Sequence, residues 1–69
     1  MYGLKKSLEE NYLVKIVYDN KGIITERTIK VLAIEDEKII AFCYLRKARR
    51  TFLYKNILAT ELIKKEGMV

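Results

Sequence analysis

Sixty-nine residues, 51% of them hydrophobic and 33% charged, with no proline, suffice for one small core and leave no room for a second domain. The composition is too apolar for a disordered chain, no apolar run approaches the roughly 18 residues of a membrane span, and the first ten residues lack the apolar centre of a signal peptide. With no histidine and a single cysteine, internal disulfides, the usual zinc clusters, Cys-His pairs and serine triads are all excluded. A reduced, cytoplasmic setting without membrane association is expected, with Cys43 as a buried structural thiol between Phe42 and Tyr44, the alternative being a reactive or metal-binding one.

Leu4, Leu8 and Tyr12 recur at spacing four with charged residues between them, which predicts a short amphipathic helix over about residues 3–11. The run YLVKIVY, 12–18, is β-branched and aromatic. Asp19-Asn20-Lys21-Gly22 follows as a turn with a glycine free to take positive φ, so a hairpin is expected. The second strand runs from Ile23 to Ile34. Its apolar residues fall on both parities, Ile24, Leu32 and Ile34 against Ile23, Ile29, Val31 and Ala33, which predicts a bent strand, often bent through a bulge. Glu35-Asp36-Glu37 is a solvated acidic turn, the alternative being a magnesium site. Lys38–Leu45 is a third strand, Arg50–Tyr54 a fourth, Lys55–Leu58 a tight helical turn, and Ala59–Lys64 a last strand. The expected fold class is mostly β: a small antiparallel barrel of the SH3 or Sm type, of about five strands over residues 12–64, preceded by a short N-terminal helix, in one domain over 1–69.

The net charge of +5 is unevenly placed. Between Lys38 and Thr60 stand six cations, Lys38, Arg46, Lys47, Arg49, Arg50 and Lys55, and no anion; the remainder carries eight cations and nine anions. Such segregation presents a positive face to a polyanion, phosphate being the commonest, or serves as a solubilising face. With Lys47-Ala48-Arg49 as a three-residue hairpin loop, Arg46 faces Arg50, Tyr44 faces Phe52 and Phe42 faces Tyr54, all on one side. Two opposed arginines repel unless an anion lies between them. That anion is either an internal acid such as Glu26 or Glu61, or the phosphate of a ligand. In the second case Tyr44, Phe52 or Tyr54 supplies a stacking surface for a base, Tyr44 and Tyr54 more readily than Phe42 and Phe52, which suit the core. Lys47, Arg49 and Lys55 add long-range attraction. No nucleophile stands beside a base, and Gly22 is isolated, so there is no phosphate loop. A non-enzymatic binding module without metal or cofactor is expected.

One pattern combines these features: an I-x-Y strand at Ile16 and Tyr18, Gly22, Arg27 in the next strand, then Ala41-Phe42-Cys43, Leu45-Arg46, Arg50, Phe52 and Ile57. Over residues 14–60 it resembles the WYL domain of bacterial regulators. The resemblance implies an Sm-like SH3 barrel that senses a nucleotide or single-stranded nucleic acid. Its ligand site would include Arg46, Arg50 and Phe52, with Arg27 joining the ligand-binding set. The Trp-Tyr-Leu tripeptide that names the family falls here on Glu37-Lys38-Ile39, a family proline on Val31 and a family arginine on Asn56. Most members carry a helix-turn-helix domain ahead of the barrel, where this chain has about a dozen residues, so a stand-alone sensor or adaptor with a regulatory role is expected. The alternative is a protein-interaction adaptor or small homo-oligomer whose basic face meets an acidic partner surface.

Overall fold

The Leu4–Leu8 stripe forms one face of α1, Tyr2–Glu10, in a computed structural model that describes residues 2–65. Leu4 is buried and Leu8 packs against the core. Lys6 and Glu10 pair at 2.8 Å on the wet side, a contact worth a few tenths of a kcal/mol. The helix stops at Asn11, which takes the left-handed conformation (φ 62°) and donates its N–H to Ser7 O at 3.0 Å, a closure that asparagine tolerates better than most residues.

Five strands follow: β1 Tyr12–Asn20, β2 Ile23–Ile34, β3 Lys38–Cys43, β4 Ala48–Leu53 and, after a 3-10 turn at Tyr54–Asn56, β5 Ile57–Lys65. The β1–β2 hairpin closes through Lys21 (φ 54°) and Gly22 (φ 89°), the two positive angles that a two-residue turn needs to match strand twist, and Asp19 Oδ1 accepts the Gly22 N–H at 2.8 Å. The predicted bend of β2 is present: its register against β3 shifts between Val31 and Ala33, leaving Leu32 as the extra residue. That bulge explains the failed parity, because Ile29 and Val31 point inward before it and Ile34, opposite the buried Ile39, lies on the same side after it. The third strand ends at Cys43 and the fourth begins at Ala48, so both differ from their expected limits.

All pairings are antiparallel, in the order β4-β3-β2-β1-β5. The expected closed barrel does not form. Among the described residues no ladder joins the outer edges of β4 and β5, and the sheet remains open. It is curled by side chains instead: Leu53 N–H donates to Tyr18 Oη at 3.0 Å, and the Tyr18 and Phe52 rings meet edge to face at 5.1 Å, although β2 and β3 lie between their strands. The core on the inner side consists of Val14, Ile16, Ile29, Val31, Ile39, Ala41, Cys43, Phe52 and Ile57, with Leu4 from the helix. Cys43 is a buried thiol, as expected.

Helix α1 does more than cover that core. β1 and β2 part after the Val14/Ile29 pair, and the fully buried Ser7 Oγ accepts the Val31 N–H at 2.9 Å where a strand carbonyl would otherwise stand. Ser7→Ala leaves that donor without a partner and is expected to destabilise the domain by about 1–3 kcal/mol. At about 4–8 °C per kcal/mol the loss is visible in thermal melting. An unchanged Tm would remove Ser7 from this structural role.

Candidate ligand-binding surface

The β3–β4 hairpin carries most of the residues singled out by charge, and its register decides which of them meet. Ile39 pairs with Phe52, Ala41 with Arg50, Phe42 with Arg49 and Cys43 with Ala48, so the connection is the four-residue turn Tyr44-Leu45-Arg46-Lys47. Lys47 re-enters β4 in the left-handed conformation (φ 52°). The three-residue loop inferred from the sequence is therefore overturned, together with the pairs Arg46/Arg50, Tyr44/Phe52 and Phe42/Tyr54. The physical reason lies in the core: Ile39, Ala41 and Cys43 are buried with Phe52, which requires odd residues of β3 to share a side with even residues of β4.

The predicted site residues consequently separate into groups. Phe52, only 3% exposed, is core and unavailable as a stacking surface. Arg50 stands on the core-facing side opposite Ala41, on the edge strand, with its side chain exposed. Arg27 is on the same side of β2, opposite Ile16, with Nη1 donating to Glu26 O at 3.4 Å. Arg46 and Lys47 are exposed in the turn. Tyr54 and Lys55 lie at the far end of the hairpin, where Tyr54 packs against the core and donates its N–H to Glu37 O at 2.9 Å.

The outer side holds a grouping that charge alone did not define. Phe42 is half-buried there, outside the core for which its apolar neighbours suited it, and its ring meets Tyr44 edge to face at 5.0 Å. Tyr44 is anchored by its N–H to Thr28 O at 3.0 Å. Across the sheet Phe42 stands between Arg49 of β4 and Lys30 of β2 in one row. Lys30 is only 8% exposed, with Nζ donating to Val31 O at 2.7 Å. Sequence inspection missed Lys30, and the register that exposes Phe42 was its only signal.

Neither internal acid considered for the arginines serves them. Glu61 pairs with Lys15 at 3.8 Å, Glu26 meets Arg27 only through its backbone carbonyl, and among the described residues no carboxylate forms an ion pair with Arg46, Arg49 or Arg50. A second feature lies at the opposite end of the hairpin: a cleft of about 420 Å³ lined by Asp36, Glu37, Leu53, Tyr54 and Lys55, bordered by a recess that includes Glu35 and Lys38. The hairpin is uniformly basic at its turn and mixed in charge at its base, where Glu35, Asp36 and Glu37 stand beside Lys38 and Lys55 and Glu35 pairs with Lys38 at 3.5 Å. The chain matches no known family model, and no curated protein is significantly similar to it.

Since no carboxylate among the described residues is left unpaired by their removal, Arg46→Ala, Arg49→Ala and Arg50→Ala are each expected to change stability by no more than about 0.5 kcal/mol, as surface substitutions do. A loss of about 3–5 kcal/mol in urea unfolding would reveal a broken internal pair.

Proposed function

We propose that this domain is a non-enzymatic, regulatory binding module of the bacterial cytoplasm for a nucleotide or short single-stranded nucleic acid, akin to the WYL domains that residues 14–60 resemble. The observation that carries the reading is the outer-face row in which Phe42, paired edge to face with Tyr44, stands opposite Arg49 while, among the described residues, the adjoining arginines form no ion pair with a carboxylate. A half-exposed ring offers a π-face that any base can stack on, and nearby guanidinium forks suit phosphate oxygens. Arg46 and Lys47 in the adjacent turn extend the positive track, whereas Phe52 supports the site only through the core. The strand order, the bulged β2 and the Tyr18 bridge support reading the sheet as an open relative of the SH3/Sm-type barrel.

Titrating a fluorescent single-stranded oligonucleotide at several salt concentrations tests this function. Three or four neutralised phosphates give a log-log slope of roughly −2 to −3, at about −0.7 each. Arg49→Ala should reduce the magnitude of that slope by about 0.7. Phe42→Leu, which keeps apolar bulk and loses the π-face, should weaken binding by about 1–3 kcal/mol. Absence of binding at low salt would sink the proposal, and undiminished binding by Phe42→Leu would remove the stacking platform.

A further inference from the structure

β4 has β3 on one side and, among the described residues, no strand on the other. The direction of its backbone groups can be assigned. Tyr54 N–H donates to Glu37 O at 2.9 Å, in line with the β3–β4 register, so Phe52, Arg50 and Ala48 turn their N–H and C=O toward β3, while Arg49, Thr51 and Leu53 turn theirs outward. The outward N–H of Leu53 is already held by Tyr18 Oη. The open N–H groups of this edge are therefore those of Arg49 and Thr51, flanked by the cationic turn at one end and the acidic cleft at the other.

Residues facing each other across an antiparallel ladder share a face, so two copies of one edge strand related by a two-fold axis must set some residue opposite its own copy. A centre at Arg49 would set Thr51 against the partner's Lys47, inside a turn. A centre at Thr51 would aim Arg49 at the partner's Leu53, whose N–H is engaged. A centre at Arg50 sets Arg49 opposite the partner's Thr51 and Thr51 opposite the partner's Arg49, which pairs both open N–H groups of each edge and leaves the Tyr18 bridge intact. The same register brings the Arg46-Lys47 turn, which precedes β4, beside the end of the partner's β4 at Leu53, where the partner's Tyr54–Asn56 turn begins. Leu53 and Tyr54 line the cleft that also holds Asp36, Glu37 and Lys55, two acids against one base, so a basic turn meets a recess of net negative charge at both ends of the interface.

One element opposes this pairing. Arg50 faces the partner's Arg50 in a non-hydrogen-bonded pair, where side chains approach most closely and like charges destabilise. Each guanidinium is exposed and has no carboxylate partner within its own chain among the described residues. Two opposed forks of this kind form a receptor for a phosphate-class anion.

We propose that β4 is the interface of a two-fold homodimer centred on Arg50, in which each Arg46-Lys47 turn docks in the partner's acidic cleft and a phosphate-class anion between the two Arg50 side chains promotes the pairing. The second copy is the occupant because complementary charge is met at both ends in one register. The anion makes association conditional, since repulsion at the axis persists without it.

Sedimentation of the full chain, without any nucleic acid, in chloride and in phosphate buffers of equal ionic strength tests both parts. Phosphate should tighten dimerisation by about two- to five-fold, the factor corresponding to removal of one like-charge pair across a ladder. Arg50→Gln should dimerise at least as tightly in chloride as the parent does in phosphate, and lose the anion dependence. Lys47→Glu and Glu37→Lys should each weaken the dimer, and the chain carrying both should recover it. A parent that stays monomeric in both buffers to millimolar concentration, identical association in the two salts, or an Arg50→Gln variant no tighter than the parent in chloride would overturn the proposal. So would assemblies larger than dimers, which would point to pairing between β4 and β5 edges. Because no oligonucleotide is present, these outcomes are independent of the nucleic-acid titration.

Discussion

Phe52 is the one residue of β4 that reaches the core, and it does so opposite Ile39, in the single parity that also buries Ala41 and Cys43. Much else is a consequence of that pairing. It turns Arg49 to the outer face beside Phe42 and Arg50 to the inner face beside Ala41, and it directs the backbone of Arg49 and Thr51 away from β3. A one-residue slip of β4 against β3 would turn Phe52 to the outer face and take its ring out of the core. The distribution of cations is thus secured by a hydrophobic constraint that involves none of them.

The same ring begins the curl of the sheet. Phe52 meets Tyr18 edge to face, and the Tyr18 hydroxyl takes the Leu53 N–H, so one tyrosine of β1 reaches the far edge of the sheet without a backbone ladder. Closure by side chains is weaker than closure by strands, since an aromatic pair contributes about 0.5–1.5 kcal/mol beyond its burial and a neutral hydrogen bond about 1. What the sheet lacks in closure is supplied by α1, whose Leu4 fills the core and whose Ser7 completes the hydrogen bonding of β2. A short helix with few residues of its own in the core is therefore integral to this domain.

Much of the fold was legible in the sequence because local chemistry dictates it. Asp19 to Gly22 carries its turn in its residue types, the spacing of Leu4 and Leu8 gives the helix, and the failed parity of Ile23–Ile34 announces the bulge that the β2–β3 register shift contains. The candidate site was less legible. From Lys38 to Leu45 the third strand is apolar on both parities, so nothing local states whether Phe42 or Cys43 faces inward. Lys47 closes the turn in a conformation usually left to glycine or asparagine, which hid the turn among the charges. Barrel closure was beyond sequence reasoning for another reason: it depends on whether two edges approach within bonding distance, a property of accumulated twist and tilt with no residue signature. Singling out Arg46 and Arg50 by their charge did not fix their mutual position, because that position is set by the packing of β3 and β4 in the core.

The two edges of the sheet differ in how their charge is balanced. β5 is an edge of the ordinary kind, with Glu61 tied to Lys15 of the neighbouring strand at 3.8 Å and Lys64 and Lys65 adding the opposite sign. Mixed charge of this sort deters strand addition and keeps the surface solvated. β4 has no such balance. Its strand and turn hold Arg46, Lys47, Arg49 and Arg50, while the acids nearest in the hairpin, Glu35 to Glu37, are at its other end, where Lys38 and Lys55 also stand and Glu35 pairs with Lys38 at 3.5 Å. Within one copy these opposite charges are separated by the length of the strand, about 17 Å for six residues, which exceeds the Debye length of about 8 Å at physiological salt. They cannot neutralise each other effectively across that distance in one molecule. In the proposed dimer a second hairpin laid head to tail against the first would bring these opposite charges together, while the anion at the axis would offset the two Arg50 side chains.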